Sequence, residues 1–247
     1  MEQEPEHDDG QEPSEGSGIP PSGEAALGFS IDMGIMPHFP RTGRERSVAD
    51  LTQPDERFSN CVRMDPEDRQ WHILEAEDFQ AGYCHDEALL TSGVPPEIRE
   101  RINVSQNLAT YGWFCYEFCT ISLFWSLSCI EMAVWSKFIE MHPGPLEIVH
   151  KRSGRTEKAY AAEAEVKLRR GWRIVGLPKF NFSFHSLLTW ASDAQLLPVG
   201  VDIESILQLR NSMAHPTRFN WVLPPKQAFL SYQLLVQIVV VLWPECP

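Results

Sequence analysis

Positive charge is missing where negative charge is densest. Residues 1–28 hold eight Asp and Glu side chains and no Lys or Arg, so this segment alone carries −8 of the net −13. The −5 left for the other 219 residues is an ordinary surface balance. The segment also has few large apolar groups and much Glu, Pro, Gly and Ser. It cannot bury enough surface to offset its ordering entropy, and it reads as a disordered acidic tail. Such a tail is either a solubilising extension or an arm that covers a basic site. It lacks the basic start and apolar run of a signal peptide, which points to a cytoplasmic protein with reduced thiols.

Other absences narrow the chemistry. There is no Gly-rich phosphate loop, no HExxH, no nucleophile elbow and no Ser-His-Asp order, so phosphate-loop enzymes and hydrolases of those classes gain no support. Six cysteines are present: Cys61, Cys84, Cys115, Cys119, Cys129 and Cys246. Cys115 and Cys119 share a helical face, but Tyr116, Phe118 and Ile121 around them are apolar and no His at zinc-site spacing joins them. Buried structural thiols are expected, with no metal and no cofactor; Cys84-His85-Asp86 is too short a cluster to hold an ion. Long apolar runs are also scarce. Phe118–Trp135 contains Glu131 and Ala228–Trp243 covers 16 residues, against about 20 apolar residues for a bilayer span. Both are expected to be core helices, with no membrane partner.

What the chain does have is helical punctuation. Residues 29–70 are irregular, and Arg69–Gly82 has a weak helical pattern. Pro96 suits a first helical turn. Ser105 to Met141 reads as the main helix or helix pair, with Gly112 inside it and His142-Pro143-Gly144-Pro145 as a stop. Ser183 is placed to cap Phe184–Leu196, Asp202 to cap Ile203–Ala214, and Pro224-Pro225 to precede Lys226–Trp243. No strand ladder stands out. The fold expected is an all-α helical bundle over 105–243, with 29–104 an accessory region and 1–28 the tail.

One stretch runs against the overall acidity. Between His150 and Val175 there are eight Lys and Arg against three Glu. Lys167, Arg169, Arg170 and Arg173 within it are candidate phosphate contacts. A solvated surface helix and loop is the plainer reading.

The chemistry centres on Leu209-Arg210-Asn211-Ser212-Met213-Ala214-His215-Pro216. It offers a permanent cation for a phosphate and a group that moves protons near neutral pH. On one continuous helix, five residues would turn Arg210 and His215 about 140° apart. Pro216 disfavours helical backbone at His215, so the helix should end at or just before it. A helix C-terminus also favours a protonated imidazole. Glu131, a carboxylate amid Cys129, Ile130, Met132 and Ala133, needs a partner or a path to solvent; Arg210 across the bundle is one such partner. An arginine in a surface ion pair and a histidine capping a helix end would explain the same residues without catalysis.

Arg-Asn, three residues, then His-Pro resembles the signature of the HEPN superfamily (higher eukaryote and prokaryote nucleotide-binding domains). The likeness extends loosely over 105–243, with eight residues specific to the motif. It implies a helical bundle that pairs as a homodimer and places two Arg–His sets in one cleft. There RNA is cleaved without a metal, as in toxin–antitoxin or phage-defence nucleases. Carried over residue by residue, Arg210 would bind the scissile phosphate, Asn211 would position the histidine or the RNA, and His215 would act as general base or acid. An antitoxin-like nucleotidyltransferase would then be a partner. Many domains of this type dock partners and do not cleave.

Overall fold

The computed structural model describes residues 53–55, 58, 62–64, 71–73, 75–83, 93–214 and 225–244. The acidic tail lies outside them. Seven helices are described: α1 (Ala76–Tyr83), α2 (Pro96–Tyr111), α3 (Glu117–Met141), α4 (Ala161–Leu168), α5 (Phe184–Asp193), α6 (Ile203–Ala214) and α7 (Pro225–Leu242). The chain is mostly helical, as composition and punctuation predict.

The start and stop signals act where they are expected to. Pro96 opens α2, where the missing N–H costs nothing. Ser183 Oγ accepts from Ser186 N at the head of α5. Asp202 Oδ1 accepts from the backbone N–H groups of Glu204 (3.1 Å) and Ser205 (3.2 Å), and Oδ2 from the Ser205 hydroxyl (2.6 Å). These hydrogen bonds, the Ser205 hydroxyl first, hold the Asp202 carboxyl below the usual carboxylate range. α3 stops at His142, as the His-Pro-Gly-Pro run predicts.

α3 is the central helix, packed against α2, α7, α5 and α6. Its Leu123, Leu127, Ile130, Val134 and Phe138 are fully buried, as are Leu235, Ile238, Val239 and Leu242 of α7. Each such side chain contributes about 1.5–3 kcal/mol by leaving water. α3 and α7 are both long and apolar enough to cross a membrane, and each has half of its apolar window buried inside the bundle. Serines let α2 and α3 approach closely. Ser122 Oγ donates to Ser105 O (2.9 Å), Ser105 and Ser126 share a hydroxyl hydrogen bond, and Trp125 Nε1 donates to Arg101 O (3.1 Å).

Three features add to the sequence reading. First, the mostly helical chain also carries a small strand ladder that did not stand out in the sequence: β3 (Leu146–His150) lies between β4 (Thr156–Ala159) and β5 (Trp172–Ile174) in an antiparallel sheet, with β3 and β4 joined by a Gly154 turn of φ +67°. Leu146, Ile148, Ala159 and Ile174 are its buried face. Second, the weak helical pattern over Arg69–Gly82 holds a strand, β2 (Trp71–Ile73), before α1. That strand pairs antiparallel with β1 (Val62–Met64). Third, α2 crosses the boundary placed at residue 105, and its Ile98 and Ile102 belong to the common core. Even residue 55 is tied in. The buried Asp55 accepts from Tyr116 N (3.1 Å), and Phe58 stacks among Phe79, Trp113 and Tyr116.

Candidate functional site

α6 sets the site. Its Ile206 is buried and Ile203, Leu207, Leu209 and Met213 are half-buried, anchoring the helix against α3 and α5. That register turns Arg210 toward α3, where Glu131 sits two residues after the buried Cys129. Arg210 Nη2 and Glu131 Oε2 lie 3.6 Å apart, with side chains 37% and 32% exposed. The pairing across the bundle suggested by the lone carboxylate is present. At 3.6 Å it is an ion pair and not a hydrogen bond, which needs about 2.7–3.2 Å. The guanidinium keeps donors and solvent access for another anion.

Asn211, one residue on, is exposed. Ser212 turns its hydroxyl back to Leu209 O (2.7 Å). α6 runs to Ala214, while His215 and Pro216 lie outside the described residues.

Glu131 also lines a groove of about 710 Å³. Ile98, Met132, Trp135, Ile139, Phe182 and Leu187 supply apolar walls, and Glu97, Glu140 and Glu165 add three more carboxylates. No Lys or Arg lines it. The lining therefore offers a phosphate no cation of its own. Phe182 enters this wall with φ +59°, left-handed backbone that costs a non-glycine residue about 1–3 kcal/mol. Stacking of Phe138 on Phe180, with Phe182 and Trp190 edge-on, holds it there.

The four basic candidates do not form one site. Lys167 Nζ is held by Glu157 (2.6 Å) and Glu163 (2.9 Å) and sits 5.6 Å over the Trp172 ring. These contacts, Glu157 first, push its pKa above the ordinary lysine value and fasten α4 to the sheet. Arg169 pairs with Glu165 at 2.7 Å. Since Glu165 and Glu131 line the same groove, the Arg169 and Arg210 ion pairs flank it. Arg170 and Arg173 are exposed and make no ion pair among the described residues.

Three cysteines lie among the described residues. Cys129 is buried, and burial pushes its thiol up to about 12 despite nearby Arg101. Cys119 is buried, and the half-buried Cys115 donates to Glu117 Oε2 (3.3 Å). Among the described residues no three His, Cys, Asp or Glu side chains come together as a metal site.

Sequence reasoning missed the groove, whose carboxylates come from α2, α3 and α4. No short motif links them. It also missed the sheet, for which a signal existed: Leu-Glu-Ile alternates, Ser153-Gly154 can turn, and Thr-Glu-Lys-Ala follows. Compared with protein-family models, curated proteins and solved structures, the chain matches none.

Proposed function

We propose that this chain is a metal-independent endoribonuclease of HEPN type, acting in the cytoplasm as a homodimer. The observation that carries the reading is Arg210. It is anchored by Glu131, still over a third exposed, and placed on the last turns of the helix that leads into His215. In this account the Arg210 guanidinium binds the scissile phosphate and offsets charge that grows as the phosphorus is attacked. His215 removes the proton from the 2′-hydroxyl. The freed oxygen forms a bond to phosphorus while the bond to the 5′-oxygen breaks. That leaving oxygen takes a proton from the second histidine of the shared cleft. The products are a 2′,3′-cyclic phosphate and a 5′-hydroxyl. Asn211 orients the imidazole or the RNA.

Product analysis tests this chemistry. Cleaved RNA should carry cyclic phosphate and free 5′-hydroxyl ends, with the protein sedimenting as a dimer. Ends of the opposite polarity, or activity from a monomer, would contradict it.

A second reading is favoured by the groove. Its apolar walls suit an apolar segment of a protein partner, with a cation of that segment beside Glu97, since Glu131, Glu140 and Glu165 already face Arg210, Lys137 and Arg169. If a folded dimer leaves RNA intact, a partner-docking domain becomes the account, with Arg210–Glu131 a structural pair.

A further inference from the structure

We infer that the solvent face of the β4-β3-β5 sheet is a docking platform for single-stranded nucleic acid. The residues of this face belong to β3, β4, β5 and their turns, not to α6, and its role does not depend on cleavage.

Strand register defines the face. Val149 lies between Thr156 and Arg173, and Glu147 lies opposite Lys158. Directly opposed residues share a side of the sheet. Thr156, Glu147, Lys158, Arg173 and the following Val175 are all exposed, while the alternating Ile148, Ala159 and Ile174 are buried. Alternation carries the same face on to Tyr160, which is 64% exposed where the chain leaves β4. A phenol ring this open, beside an aliphatic surface of Val149 and Val175, is a stacking surface with no ring partner among the described residues.

The cations border it. The β3–β4 turn carries Lys151 and Arg152, and Lys151 N donates to Gly171 O (2.9 Å). This hydrogen bond joins that turn to the α4–β5 turn, which carries Arg170. Lys151, Arg152, Lys158, Arg170 and Arg173 are exposed and make no ion pair among the described residues. Glu147 is the one carboxylate of the strands on this face; Glu157 points to the other side and is occupied by Lys167 and Arg155. A stacking ring with Lys158 beside it at one end, and Arg173 and the turn cations at the other, suit a flexible strand whose bases are free. A duplex hides its bases from Tyr160, and a bilayer asks for a broader apolar surface than Tyr160, Val149 and Val175 supply.

The test is fluorescence anisotropy of a labelled oligouridylate with the full chain carrying His215→Ala, so that cleavage cannot consume the probe. A DNA duplex of equal length and phosphatidylserine vesicles serve as comparators. The single strand should bind with strong salt dependence. Lys158→Glu with Arg173→Glu should weaken it by roughly tenfold or more, and Tyr160→Ala by about tenfold, with circular dichroism unchanged. If the double reversal fails to fold, Arg173→Gln and Tyr160→Ala each carry the test alone. Absence of binding, indifference to Tyr160→Ala, or equal affinity for the duplex or the vesicles would overturn the inference.

Discussion

Arg210 of α6 and Glu131 of α3 face each other across the bundle at 3.6 Å, and each side chain keeps about a third of its surface in water. An exposed pair of this length stabilises the fold by about 0–1 kcal/mol. Positioning a guanidinium on an attacked phosphate is worth far more, about 10²–10³ in rate for a single lost donor. Arg210→Ala should therefore leave the melting temperature nearly unchanged and remove RNA cleavage at a fixed RNA concentration. A variant that melts early and cleaves normally would assign Arg210 to structure alone.

Glu157 gives a pH prediction. Lys167 first, then Arg155, holds its carboxyl below the ordinary value, so the folded state binds its proton more weakly than the unfolded chain. Stability from this pair is present at neutral pH and is lost as pH falls through the depressed folded value. Glu157→Gln should be less stable than the parent in urea at neutral pH. That gap should close on acidification below the carboxylate range. A gap that persists in acid would mean that packing, not charge, is what the substitution disturbs.

Much of the helical frame was legible. Asp202, Ser183 and Pro96 mark helix starts because capping and proline chemistry are local, and His142 to Pro145 ends α3 for the same reason. The Arg210–Glu131 contact was also within reach, since a carboxylate on an apolar helix needs a partner. The sheet was harder. Its strands are three to five residues long, and Lys and Arg along them read as a solvated surface until pairing places Ile148 and Ile174 inside. The ion pairs of Lys167 were hidden for a related reason. Its two glutamates come from β4 and from the preceding turn of α4, and charge counting cannot separate a held lysine from a free one.

Gly112 joins α2 to α3 through close contact. A Cβ there would meet Cys119 Sγ at 2.5 Å and Ala109 O at 2.7 Å. The backbone is ordinary helix, so space and not φ makes the demand. Gly112→Ala should destabilise by about 1–3 kcal/mol, as overpacking does. Chemical unfolding measures it, and an unchanged midpoint would show that the α2–α3 junction yields freely.

Cys129 should be inert in the folded protein. Its buried thiol, pushed up to about 12, carries almost no thiolate at mildly alkaline pH. Iodoacetamide followed by peptide mass spectrometry should label the half-buried Cys115 before Cys129, and Cys129 only once urea unfolds the chain. Early labelling of Cys129 would contradict the packing of α3 against α2.

The most direct measurement is cleavage of an end-labelled mixed RNA pool in EDTA by the parent protein and by His215→Ala, both shown folded and weighed in solution. The account predicts cleavage by a dimeric parent that the variant loses. An intact pool after incubation with a folded dimer, or equal cleavage by both proteins, would contradict it.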